Sequence, residues 1–97
     1  MDSKLFNSLK TSKEKSIVVF SASWCGPCKV LAKTINTIFA LRPDLQGKIH
    51  KVDIDDASDL SLELGIQCLP TVYYLGNGSE EVRKGIQKEK ELLSWFD

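Results

Sequence analysis

Ile17-Val18-Val19-Phe20-Ser21-Ala22-Ser23-Trp24-Cys25-Gly26-Pro27-Cys28 is the stretch on which the reading of this chain turns. Ile17 to Phe20 is a short apolar, β-branched run, the pattern of a strand buried on both faces. Ser21 to Trp24 forms a loop. From Pro27 a long helix is expected, with Leu31, Ile35, Ile38 and Phe39 on one face. Proline suits its first turn, and Arg42-Pro43 ends it. Two cysteines three residues apart therefore sit where a buried strand hands over to a helix.

That position has chemical consequences. Free backbone N–H groups and the macrodipole at a helix N-terminus favour an anion. The Cys25 thiolate is thus expected to be stabilised, with a pKa lowered toward ~7 for this motif type. A thiol titrating near ambient pH is close to the best attacking species. Cys28 lies one turn on and on the same side, and is expected to be the more buried and to stay protonated until needed. A CxxC pair can also be half of a zinc site. A four-ligand site needs a second pair, and the remaining thiol is Cys68 and the one histidine His50. A CxxC near a βαβ pattern reads instead as a redox dithiol. Inert core thiols would not call for the glycine, the proline and the helix start.

Outward from the motif, Leu5, Phe6 and Leu9 mark a first helix, capped by Asp2 or Ser3. Ile49 to Ile54 reads as a second strand between two layers. Ala57 to Leu64 is a short helix with Gly65 as its C-terminal cap. Thr71 to Leu75 is a β-branched and aromatic strand, and Gly76-Asn77-Gly78 a hairpin turn. The charged segment Glu81 to Lys84 is its antiparallel partner at an edge. Leu92, Leu93 and Phe96 line the inner side of a last helix, and Trp95 packs there too. The order is α-β-α-β-α-β-β-α: one α/β domain over residues 1–97, a mixed sheet with helices on both faces. The aspartates between Asp53 and Asp59 lack an EF-hand's glycine and final glutamate, and read as a solvated loop and helix cap.

Bulk composition narrows the function. The 97 residues carry 13 Lys/Arg against 13 Asp/Glu, a net charge of zero, so nothing argues for nucleic acid or an anionic membrane. Residues 1–16 have no apolar core of the signal-peptide kind, and no apolar run is long enough to span a bilayer. An odd cysteine count fits a reducing compartment, so a cytoplasmic location is expected.

The chain resembles the thioredoxin family over essentially its full length. The matches are Trp24-Cys25-Gly26-Pro27-Cys28, Val52-Asp53-Ile54-Asp55, Leu69-Pro70-Thr71, Asn77-Gly78 and Gly85, at fitting spacing. Phe20 to Trp24 looks eukaryotic-type. The resemblance implies a thioredoxin fold that reduces disulfides in client proteins by way of a mixed disulfide. Cys25 is then the nucleophile and Cys28 the resolving thiol. Trp24, Gly26 and Pro27 belong to the docking surface. Pro70 is a cis-proline facing the dithiol, Leu69 pairs with an extended client segment, and Gly85 lets a partner approach closely. No bound cofactor or metal is implied. Electrons come from NADPH indirectly, through thioredoxin reductase. The protein is expected to be a monomer. Cys68, near the docking surface, is a candidate regulatory thiol able to link two copies on oxidation. A redox-inactive binding module and a glutathione-dependent glutaredoxin are the alternatives; the intact dithiol argues against the first and Gly26-Pro27 against the second.

Three departures from the family pattern stand out. The usual first strand is short or absent, leaving about four strands. Lys33 replaces a helix-kinking proline, so a straighter helix is expected. Val19 occupies the place of a buried aspartate that normally accepts the resolving thiol's proton. Lys51 matches that aspartate's usual lysine companion, either as an accessory residue or as a strand residue snorkelling to water. Val19 cannot accept a proton, which leaves water or the departing thiolate. Resolution is then expected to be slow at neutral pH and to quicken above it.

Overall fold

A computed structural model describes residues 1–97. Its elements in chain order are α1 (Ser3–Thr11), β1 (Ser16–Ser21), α2 (Gly26–Leu41), a 3-10 turn (Pro43–Leu45), β2 (Ile49–Asp53), α3 (Ser58–Leu64), β3 (Thr71–Gly76), β4 (Ser79–Lys84) and α4 (Glu89–Ser94). The sheet runs β2-β1-β3-β4. β1 is parallel to β2 and antiparallel to β3, and β4 is antiparallel to β3. This is the mixed four-stranded α/β sheet the sequence implies, with no strand ahead of α1.

The sheet's two faces each own a core. Ile17, Val19, Val72 and Tyr74 meet Leu31, Ile35 and Ile38 of α2, with Leu92 of α4. Val18, Phe20, Tyr73 and Leu75 meet Phe6 of α1 and Leu60 of α3 on the other side. β1 supplies both, because alternate residues point to opposite faces, and residues 16–20 are all buried. α2 runs unbroken over 16 residues, as expected without a proline in its interior.

Local signals match the sequence closely. The Asp2 carboxylate caps α1 by accepting the Leu5 N–H at 2.9 Å. Gly65 closes α3 at φ 68°, a left-handed position that suits glycine. Asn77 (φ 55°) and Gly78 (φ 79°) form the two-residue turn between β3 and β4, whose positive φ values match the strand twist. That turn docks on the end of α1 through Asn77 N–H to Ser12 O and Gly78 N–H to Lys10 O.

As expected, β2 lies between two layers, Ile49 packing into the α2-side core and Val52 into the opposite one; the strand ends the sheet, and its Lys51 is exposed. One expectation needs correction. No aspartate caps α3, whose N-cap is Ala57 with no side-chain hydrogen bond. Asp53 instead folds the loop onto itself: its Oδ1 accepts the Asp55 N–H at 2.8 Å, and its carbonyl accepts from Asp56 and Ala57.

Trp95 is a packing residue. Its Nε1–H is shared between the Ser16 carbonyl (3.1 Å) and the Leu75 carbonyl (3.2 Å), pinning α4 to the ends of β1 and β3. The buried Tyr74 hydroxyl donates to Gln87 Oε1 at 3.2 Å, and burial pushes its pKa up to about 12. No helix is long and apolar enough to cross a membrane.

Candidate active site

The end of β1 delivers the chain to α2 through a tight loop, closed by the Cys25 N–H donating to the Ala22 carbonyl. Cys25 is the N-cap of α2, with extended backbone, and Pro27 lies in the first turn. The Cys25 sulfur accepts the Cys28 N–H at 3.2 Å. A free helix-terminal donor therefore points at the sulfur, as capping requires. Cys25 and Cys28 are joined as a disulfide, their Cα atoms 5.3 Å apart.

The sulfurs are packed rather than presented. Cys25 and Cys28 are each 6% exposed, so the expected contrast in burial is absent in this oxidised state. The bond draws both into one small cluster with Ala22, against Ile54 and Leu69. What separates the two residues is their place on the helix, not their access to water.

Around the disulfide the sequence-predicted residues fall into two groups. Trp24 is 68% exposed beside the motif, and Gly26 and Pro27 are exposed at the helix start. Leu69 touches the cysteine cluster, and the Leu69–Pro70 peptide bond is cis, as expected. Pro70 is buried, and its carbonyl accepts the Gly85 N–H at 2.8 Å. Gly85 has φ 91°, a conformation side chains resist. These residues share one end of the sheet. Cys68 is an exposed free thiol two residues before Pro70.

The others lie apart. Lys51 pairs in register with Val19, but its side chain is exposed. Val19 is 3% exposed and wholly inside the α2-side core. His50 packs on the opposite face of β2; its Nε2 is buried without a partner, and burial lowers its pKa. No group of three His, Cys, Asp or Glu side chains gathers to hold a metal ion.

Sequence reasoning missed two residues. Ile54, just past β2, contacts the cysteine cluster. Asp53 lines a cleft of about 230 Å³ together with Ser21, Ala22, Ser23, Cys28, Lys29 and Ala32. Strand parity groups Asp53 with Ile49 and Lys51, but it takes the register with Ile17, Val19 and Ser21 to put that face on the α2 side.

A disulfide closed across the first turn of a helix, beside a cis-proline on a mixed α/β sheet, defines a thiol–disulfide oxidoreductase site. The thioredoxin family model matches residues 1–97, and the chain belongs to the thioredoxin family. It is a protein-disulfide oxidoreductase that works through the Cys25–Cys28 pair and a mixed-disulfide intermediate. It is 36% identical to the thioredoxin of Rickettsia conorii over 100 residues, covering 100% of this chain and 92% of that protein. It is 40% identical to mitochondrial thioredoxin of Bos taurus over 89 residues, covering 88% of this chain and 51% of that one. Among solved structures, thioredoxin NaTrxh from Nicotiana alata superposes with a TM-score of 0.78 at 36% identity, covering 98% of this chain and 84% of that one. Members of the family need no bound cofactor and work with thioredoxin reductase and disulfide-containing clients.

Proposed function

We propose that Cys25 attacks the client disulfide and Cys28 resolves the mixed disulfide, within one domain spanning residues 1–97. The observation that carries this assignment is the Cys28 N–H held on the Cys25 sulfur at 3.2 Å at the α2 N-terminus. In the reduced protein the same donor and the helix dipole favour a Cys25 thiolate. Cys28, inside the first turn, lacks that position. Trp24, Gly26, Pro27, Leu69, Pro70 and Gly85 form the surface on which an extended client segment lies, with Leu69 supplying the backbone contact. Lys51, on the solvated edge of β2, stays outside the dithiol chemistry.

The electron donor in this reading is NADPH through a flavoprotein thioredoxin reductase, in a reducing cytoplasm. Oxidised protein mixed with that reductase and NADPH should consume NADPH and recover two thiols per closed disulfide. Recycling by glutathione and glutathione reductase alone, with none by the flavoprotein, would show a glutaredoxin-type enzyme instead.

The protein acts as a monomer in this reading, and the exposed Cys68 gives it an oxidation response. An accessible thiol can form an intermolecular disulfide or accept glutathione. Mild oxidation should produce a dimer, read on a non-reducing gel, that disappears in Cys68→Ser. A dimer fraction unchanged in that variant removes Cys68 from the response.

A further inference from the structure

We propose that the Asp53 carboxylate is the proton acceptor for Cys28 during mixed-disulfide resolution, reached through the open cleft that the two residues share. This rests on the assignment of Cys28 as the resolving thiol. Burial raises a thiol's pKa, so without an acceptor the Cys28 thiolate is scarce at neutral pH. Val19, beneath the motif, has no acceptor atom and sits in a dry apolar cluster. The sequence alone then leaves water or the departing thiolate. The structure supplies a carboxylate from a different element on the same side of the sheet.

The geometry singles out Asp53 among the nearby groups. The cleft of about 230 Å³ is lined by Cys28 and Lys29 of α2 and by Asp53 at the end of β2, together with Ser21, Ala22 and Ser23. That volume holds several water molecules, and the Ser21 and Ser23 hydroxyls can join a chain between sulfur and carboxylate. The Asp55 N–H fixes one Asp53 oxygen, Oδ1, at 2.8 Å. Oδ2 makes no hydrogen bond, and no Lys, Arg or His lies within ion-pair distance of the carboxylate. Asp55 and Asp56 do not line this cleft. Asp53 also lines a second cleft of about 340 Å³, with Met1, His50, Lys51 and Asp56. The charged and titratable residues lining the two clefts with it are therefore Cys28 and Lys29 from α2, His50 and Lys51 from β2, Asp56 from the following loop, and Met1 with its α-amino group. The second cleft gives the captured proton a way out to solvent.

The step balances without another reagent. The Cys28 S–H proton passes through water to the Asp53 carboxylate as the Cys28 sulfur attacks the Cys25 sulfur. The Cys25–Cys28 bond forms, the Cys25–client bond breaks, and its electron pair leaves on the client sulfur. The client thiolate takes a proton from solvent, and Asp53 returns its own through the second cleft. The protein dithiol is oxidised and the client disulfide reduced.

Asp53→Asn tests this, because asparagine keeps the Oδ1 acceptor for Asp55 and removes only the basicity. General-base assistance is typically worth 10²-fold or more. Single-turnover resolution of a preformed Cys25–client mixed disulfide should be flat from pH 6 to 9 in the wild type. In Asp53→Asn it should fall on the order of 100-fold at pH 7 and climb with pH toward the wild-type rate, while Asp53→Glu retains most activity. An unchanged rate at pH 7, or the same loss at every pH, overturns the proposal. A Cys28→Ser variant that fails to accumulate the mixed disulfide overturns the resolving-thiol assignment itself, a separable result.

Discussion

Cys25→Ser will leave no disulfide reduction above the uncatalysed background, whereas Cys28→Ser will stop turnover but accumulate close to one client per protein as a mixed disulfide. The asymmetry follows from the helix terminus. Serine at position 25 can still cap α2 through its hydroxyl, so the fold survives, but it offers no thiolate. Serine at position 28 leaves the attacking sulfur in place and removes the group that would release the client. Reduction of insulin, followed by turbidity, reads the first outcome, and intact mass under non-reducing conditions reads the second. Thiol alkylation of the reduced protein near neutral pH checks the same order independently. It is best done in a Cys68→Ser background, because the exposed third thiol competes for reagent. Cys25 should react first because a helix N-terminus favours its thiolate. Faster labelling of Cys28, or trapping by Cys25→Ser in place of Cys28→Ser, reverses the roles.

What the sequence revealed and what it hid divide along local and long-range information. The β1–loop–α2 passage was legible because every signal in it is local: a β-branched run, a proline in the first turn, and apolar residues at 31, 35 and 38. The same holds for the Asp2 cap, the Gly65 terminus and the Asn77-Gly78 turn. The burial of Cys25 was hidden because it depends on Leu69 and Ile54, both far along the chain. Edge exposure of β2 was hidden because strand order is a tertiary property, and an apolar pattern alone does not say which strand ends the sheet. Asp53 read as one of several solvated aspartates. Only the register Ser21 with Asp53 places it on the α2 side, where Cys28 is. The bonds from Trp95 to Ser16 and Leu75 span 79 and 20 residues and left no local trace.

Val19→Asp should be the most destabilising single change near the motif, and its size separates two roles a buried carboxylate plays. Val19 is 3% exposed, in a cluster with Ile17, Leu31, Ile35 and Val72. Its strand neighbours across the sheet are Lys51 and Val72. The Lys51 side chain is exposed, so no partner waits inside for a new charge. A buried charge without a partner either shifts its pKa or carries a heavy desolvation cost. The expected loss is about 4 kcal/mol, in the range kept for buried unpaired charges. For a domain of this size that lowers the melting temperature by about 15 °C or more. Val19→Ala removes volume without burying polarity and should cost about 2 kcal/mol. The pH dependence has a definite sign. Burial raises the folded-state pKa of the introduced carboxyl above its unfolded value, so the unfolded chain ionises more readily. The penalty is then largest above that raised pKa and shrinks as pH falls through it toward the unfolded value. Melting curves of Val19→Asp, Val19→Ala and the wild type at pH 7 and pH 4 measure both quantities. A gap between the two variants that does not narrow at pH 4 would mean that the introduced group reaches water or Lys51. The face beneath the disulfide would then be less dry than its packing shows, and the need for Asp53 as an outside acceptor would weaken with it.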